Sequence, residues 1–151
     1  MIPSHFGWAQ IIRLGMVQAS LGAIVVLMTS TLNRIMVVEL MLPAILPGAL
    51  VALHYMVQIS RPRMGHGSDQ GARRTPWIIG GMTLLALGAL CATAATLWIT
   101  NSPVLGVILA IAGFVMIGLG VGAAGTSLLV LLAMRVQGEK RAAAATTVWL
   151  M

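Results

Sequence analysis

Residues 61–81 read "RPRMGHGSDQGARRTPWIIGG", and their charge decides how the rest of the chain is read. Four arginines and an aspartate gather there, between two stretches that are almost pure hydrocarbon. Residues 40–60 on one side and 75–134 on the other contain no Asp, Glu, Lys or Arg. Over the whole chain 59% of residues are hydrophobic and 8% are charged, and the mean hydropathy is +0.99. Soluble domains carry about 25% charged residues, so a water-soluble fold of this composition would lack a polar surface. The chain reads as an integral membrane protein.

The uncharged runs mark the spans. Residues 14–33 form one, residues 40–60 a second, and "TNSP" at 100–103 divides residues 75–134 into two more. Ser102 suits an N-cap and Pro103 the first helical position, and Thr75 with Pro76 repeats that arrangement. The expected spans are approximately 14–36, 41–60, 76–99 and 103–134, with a fifth opening at 142 in "AAAATTVWLM". About 20 residues at 1.5 Å rise cross a 30 Å hydrocarbon core. Barrel strands would alternate over about ten residues, whereas these runs are continuous, and helices satisfy their own backbone in lipid. The expectation is an all-α integral membrane protein: four transmembrane helices plus the start of a fifth, as the front portion of a larger transporter-like molecule. The fourth segment is longer than a bilayer requires and is expected to tilt or protrude.

Basic residues set the orientation. Arg13 precedes the first span, Arg61, Arg63, Arg73 and Arg74 lie between the second and third, and Arg135, Lys140 and Arg141 follow the fourth. The alternate loops carry only Arg34, offset by Glu39, and the uncharged "TNSP". The positive-inside rule then puts the N-terminus in the cytoplasm. Trp8, Trp77 and Trp98 fall near span ends, where indoles favour the interface.

The same reading excludes several functions. A net charge of +6 and a pI near 11.5 do not imply nucleic acid, because no basic face is interleaved with aromatics. Cys91 is the single cysteine and implies neither a disulfide nor a metal site. No cleavable signal peptide is evident. There is no nucleophile-base set, carboxylate pair or phosphate loop, so no catalytic residue is named and an enzyme is not expected.

Small residues form stripes. Gly15, Gln18, Gly22, Thr29 and Asn33 share one face of the first span. Gly81, Gly88, Ala92 and Ala95 line the third, and Gly106, Ala110, Gly113, Gly120 and Ala124 the fourth. Gly118 and Gly122 form a GxxxG beside the latter. Such stripes read as helix-packing seams, or alternatively as a groove for a large flat ligand. His54 stands alone in the second span with Gln58 at i+4; it reads as a packed histidine or as a metal ligand. His5 and His66 lie in polar segments and are expected to be solvated.

Gly65, Asp69, Arg73 and Arg74 follow G-x-x-x-D-x-x-x-R-R, which resembles the cytoplasmic loop signature of the major facilitator superfamily. Ala72 stands where that pattern has a second glycine, and Gln70 where it has a basic residue. Asp69 and Arg73 are an i,i+4 pair if the segment is helical. The resemblance implies a latch that holds neighbouring helices together and biases alternating access, on a major-facilitator-type helical bundle. A closer likeness follows from "STLNR…VEL…LP", "RPRMG…SD…RRTPWIIGG" and "EKRAAAATTVWLM". These blocks resemble the PucC/LhaA family of purple phototrophic bacteria, over nearly the whole chain. That resemblance implies an assembly factor for light-harvesting antenna complexes, in the bacterial inner, intracytoplasmic photosynthetic membrane. Its implied partners are antenna polypeptides, bacteriochlorophyll and the reaction centre, together with the lipid bilayer. In such a protein His54 is the candidate axial ligand for the magnesium of a chlorin. Gln58 is the candidate to orient it, and Gly118 and Gly122 are candidates for the surface under the macrocycle. The rival readings are a small-molecule transporter of the major facilitator type and a structural subunit packed beside an antenna or reaction centre.

Overall fold

The computed structural model describes residues 6–70 and 73–151. His5 and Ala72 lie outside the described residues. The described residues form helices joined by turns and short irregular links, with no strand among them. Helix α1 runs Trp8–Glu39 as one rod of 32 residues, about 48 Å at 1.5 Å per residue. It begins before residue 14 because nothing between Trp8 and Leu14 breaks a helix, and a long arginine such as Arg13 can reach the interface from a span end. Its far half is π-wound at Leu27–Thr31 and Ile35–Glu39. There the Thr29 and Ser30 hydroxyls donate to the Val25 and Val26 carbonyls at 2.8 and 3.1 Å, a back-bonding that loosens the ordinary ladder.

The expected second span, 41–60, is where the structure departs from the sequence reading. Met41 sits at φ 52, in the left-handed region, and Pro43 follows it, so the chain turns before a helix starts. Helix α2 covers Ile45–Val57, 13 residues or about 20 Å, which is short of a 30 Å core. Pro62 then lacks an N–H, and its ring crowds the carbonyl four residues back, at Gln58. The chain tightens into a 3₁₀ turn at Gln58–Ser60 and restarts as α3, Arg61–Gln70. Among the described residues three helices are long and apolar enough to cross a membrane, where the sequence reading expects four spans: α1, α4 at Thr75–Trp98 and α5 at Pro103–Arg135. Helix α6, Gly138–Leu150, starts ahead of residue 142.

Helices α4 and α5 form the central hairpin. Ser102 is the N-cap of α5 and Pro103 its first residue, whereas α4 is capped by Arg74 and not by Thr75. The seam between them is built from the small residues of both stripes. A Cβ on Gly120 would lie 2.6 Å from the Gly81 carbonyl oxygen, and one on Gly113 would lie 2.7 Å from the Ala92 nitrogen. The two backbones therefore touch. Lipid gives helices no hydrophobic reason to associate, so close dispersion contact of this kind is what holds them. Helix α5, 33 residues and about 50 Å long, outreaches the bilayer and serves as the axis of the bundle. One core cluster along it joins Met36, Leu50, Leu85, Phe114 and Ile117; a second joins Ile11, Ile78, Leu132, Ala144 and Val148. Helix α6 folds back on α1, with Met151 Sδ 2.5 Å from where a Cβ on Gly15 would stand.

Candidate functional site

The basic residues converge at one end of the bundle. The Phe6 amide donates to the Arg135 carbonyl at 2.9 Å, which ties the start of the described chain to the last turn of α5. Arg13 lines a groove with Ile78 and Ile79, and Arg73, Arg74 and Arg135 line another. Alternating helix direction produces this gathering: α1 and α4 leave the arginine-bearing end, α2 and α5 return to it.

Helix α3 carries the loop signature. Gly65 faces α5, where a Cβ would meet Thr126 Cγ2 at 3.4 Å. Gly67 lies under the Trp77 indole, 3.0 Å from the position a Cβ would take, so α3 and the first turn of α4 meet closely. Ser68 is fully buried and donates to the Gly65 carbonyl at 2.8 Å. Arg74 crosses from α4, donating to Ser68 Oγ at 3.3 Å and to Asp69 Oδ1 at 2.5 Å. This is the only ion pair among the described residues. Its cation is Arg74 and not Arg73, because α3 ends at Gln70 and helical i,i+4 geometry does not extend to residue 73. Arg73 is exposed. The pair joins a mostly buried guanidinium, 13% exposed, to a carboxylate 56% exposed, so its Coulomb attraction is screened on one side. Sequence reasoning missed Ser68 and the Gly67–Trp77 contact. A serine one residue before the aspartate carries no motif, and only the fold brings the indole over the glycine.

The other four candidates also come together. Arg61 donates to Gln58 Oε1, and Gln58 Nε2 lies 2.8 Å from His54 Nε2. With its oxygen engaged by Arg61, the amide offers N–H to the imidazole. His54 Nε2 accepts it, and the ring proton belongs on Nδ1, which is buried with no hydrogen-bond partner. His54 is 0% exposed, with the Tyr55 ring edge-on at 5.0 Å. A Cβ on Gly118 would stand 2.8 Å from the His54 carbonyl, and one on Gly122 would stand 2.9 Å from Met64 Sδ. The GxxxG is thus the seat of α2 and α3 on α5, and the space above it is filled. A chlorin magnesium needs a free imidazole lone pair and an open face, and this arrangement offers neither, so these four residues do not fit the pigment. His66, on α3, is exposed at its side chain.

Comparison with known proteins finds one family and several relatives. A family model described as PUCC protein matches residues 31–151. The protein called "Bacteriochlorophyll synthase 44.5 kDa chain" of Rhodobacter capsulatus is 56% identical over 145 residues, covering 96% of this chain and 34% of that protein. "Protein PucC" of Rhodovulum sulfidophilum is 40% identical over 85 residues, or 53% of this chain and 18% of that protein. "Protein PucC" of Cereibacter sphaeroides is 37% identical over 81 residues, or 50% of this chain and 18% of that protein. The chain therefore spans about a third of the length of the first of these relatives and under a fifth of the others. No solved structure matches.

Proposed function

The chain belongs to the PUCC protein family, and from that premise we propose that it forms part of an assembly factor for light-harvesting antenna complexes in purple phototrophic bacteria. The observation that carries this reading is the match of residues 31–151 to the PUCC protein family, beside 56% identity over 96% of the chain to a protein whose name ties it to bacteriochlorophyll. The chain is a multi-pass membrane protein of that family. The rest of the reading is proposed: the intracytoplasmic photosynthetic membrane, a cytoplasmic N-terminus, and a larger bundle of the major facilitator type.

In this reading bacteriochlorophyll is cargo and not a resident cofactor. It is escorted together with the antenna polypeptide, and, since His54 is enclosed, its magnesium is ligated elsewhere. The chain's own part is mechanical. Close packing of α4 on α5 supplies a rigid wall. Helices α2 and α3 lie on that wall through Gly118 and Gly122, and Arg74 fastens α3 to α4. Helices α2 and α3 follow one another along α5 through the 3₁₀ turn at Gln58–Ser60, and an antenna helix or its pigment would pack against the outer face of this wall. No chemical step is assigned to this chain.

The name of the Rhodobacter capsulatus relative favours a second reading, a subunit of the machinery that makes the pigment. One experiment separates the two. In a deletion strain of the host, the assembly reading expects near-infrared antenna absorbance to fall while pigment precursors do not accumulate and synthase activity in membranes is retained. Accumulated precursors and lost synthase activity would favour the synthase subunit and sink the assembly reading.

A further inference from the structure

Between the first turn of α4 and the last turns of α5 lies a cavity of about 800 Å³, within the size range of ligand pockets. Arg73, Arg74 and Arg135 line it at the end of the bundle with Met134 beside them, and Ile79 and Leu131 line it about a turn further in. Arg74 is committed to Asp69 and Ser68. Arg73 and Arg135 are exposed, and neither has a carboxylate partner among the described residues. The N-terminal turn of α4 adds its positive dipole end on the same side. A smaller apolar cavity of about 290 Å³, walled by Trp77, Leu84 and Ala123, shares Pro76 and Gly80 with the first. Space above Gly80 is open, since a Cβ there meets nothing within 4 Å. The two cavities adjoin at Pro76 and Gly80, the first cationic at the bundle end and the second apolar along the helices.

We propose that these adjoining cavities are a binding site for an anionic phospholipid. Its phosphate sits between Arg73 and Arg135, and an acyl chain lies along Ile79, Leu131 and Met134 and over Gly80 toward Leu84. Two guanidinium groups without carboxylates favour a net negative headgroup, and they repel the ammonium of a zwitterionic one. The apolar length of the site is what a soluble anion would leave unused. Arg74 shares the wall but is held by Asp69 and Ser68, so the phosphate is assigned to Arg73 and Arg135; the site does not involve His54 and stands whether or not the antenna reading holds.

The test uses the full-length protein reconstituted in nanodiscs of equal phosphatidylcholine and phosphatidylglycerol. Native mass spectrometry after mild detergent release counts the lipid retained. Wild type is expected to hold phosphatidylglycerol in preference to phosphatidylcholine. The Arg73→Gln/Arg135→Gln variant is expected to lose that occupancy on the order of twenty-fold, an arginine near an anionic surface being worth about five-fold. Gly80→Leu is expected to lower it as well, at unchanged melting temperature. Equal retention in wild type and the double arginine variant would overturn the site. Displacement by millimolar inorganic phosphate, with Gly80→Leu silent, would make it a site for a soluble anion and equally defeat the lipid assignment.

Discussion

Arg74 and Asp69 are partners of unequal weight, and the difference is measurable. The aspartate is more than half exposed, so Asp69→Asn removes a screened charge pair and is expected to cost at most about 1 kcal/mol. The arginine is mostly buried and also donates to the fully buried Ser68, so Arg74→Gln is expected to cost about 2–3 kcal/mol. Thermal melting in detergent should order them wild type, Asp69→Asn, Arg74→Gln; a reversed order would remove Arg74 from the centre of the latch. His54 invites a sharper contrast. With Nε2 engaged by Gln58 and the ring enclosed, His54→Ala is expected to leave the pigment content of the purified full-length protein unchanged. The same change is expected to cost about 2–4 kcal/mol of stability, by opening a cavity and stranding the Gln58 amide. A fall in near-infrared absorbance per protein, at intact fold, would restore His54 as a ligand. The sequence could single out His54 and Gln58, because i,i+4 spacing makes their meeting legible. It could not reveal that Arg61 completes the chain of donors, since that depends on the 3₁₀ turn between them.

At the scale of elements, the α4–α5 seam is the interaction most directly checked. Gly120→Ala would force a methyl to within 2.6 Å of the Gly81 carbonyl, and backbone cannot yield as a flexible side chain can. Overpacking of this kind costs about 1–3 kcal/mol, so the melting temperature should fall. Gly48→Ala is the control: its Cβ meets nothing within 4 Å, and alanine is the better helix former, so stability should hold or rise by up to about 1 kcal/mol. A Gly120→Ala protein as stable as wild type would mean that the seam is looser than the structure has it. This seam was legible in the sequence because Gly81, Gly88, Gly113 and Gly120 repeat at helical spacing, and a small-residue stripe in lipid has few uses besides packing. The short α2 was not legible. Hydropathy counts residues 40–60 as one apolar run and is blind to Met41 adopting a left-handed conformation. Pro43 and Pro62 were visible throughout, but their effect on the two ends of that run depends on how the chain is folded around them.

For the whole molecule, the ordering of ends is the claim on which every assignment of sides rests. The structure brings Arg13, Arg73, Arg74 and Arg135 to one end, and the chain length of α1 carries Glu39 to the other. The proposed orientation, with the arginine-bearing end in the cytoplasm, rests on the charge bias. Cysteine labelling tests it, provided that the sites are chosen by exposure. Gly67 is unsuitable, because the Trp77 indole covers it. Lys140 and Arg63 are exposed at the arginine-bearing end, and Asn101 is exposed in the opposite turn. The native Cys91 is half-buried within α4, its thiol 3.4 Å from the Leu109 carbonyl, so it contributes little background to an impermeant reagent. In spheroplasts, which expose the outer face of the membrane, Asn101→Cys is expected to label rapidly. Lys140→Cys and Arg63→Cys are expected to label only after the membrane is opened. The reverse pattern would invert the molecule in the bilayer and place the phospholipid site in the outer leaflet. Labelling of Lys140→Cys and Arg63→Cys from opposite faces would separate α3 from α6 by the full membrane, and the gathering of arginines at one end would not survive it.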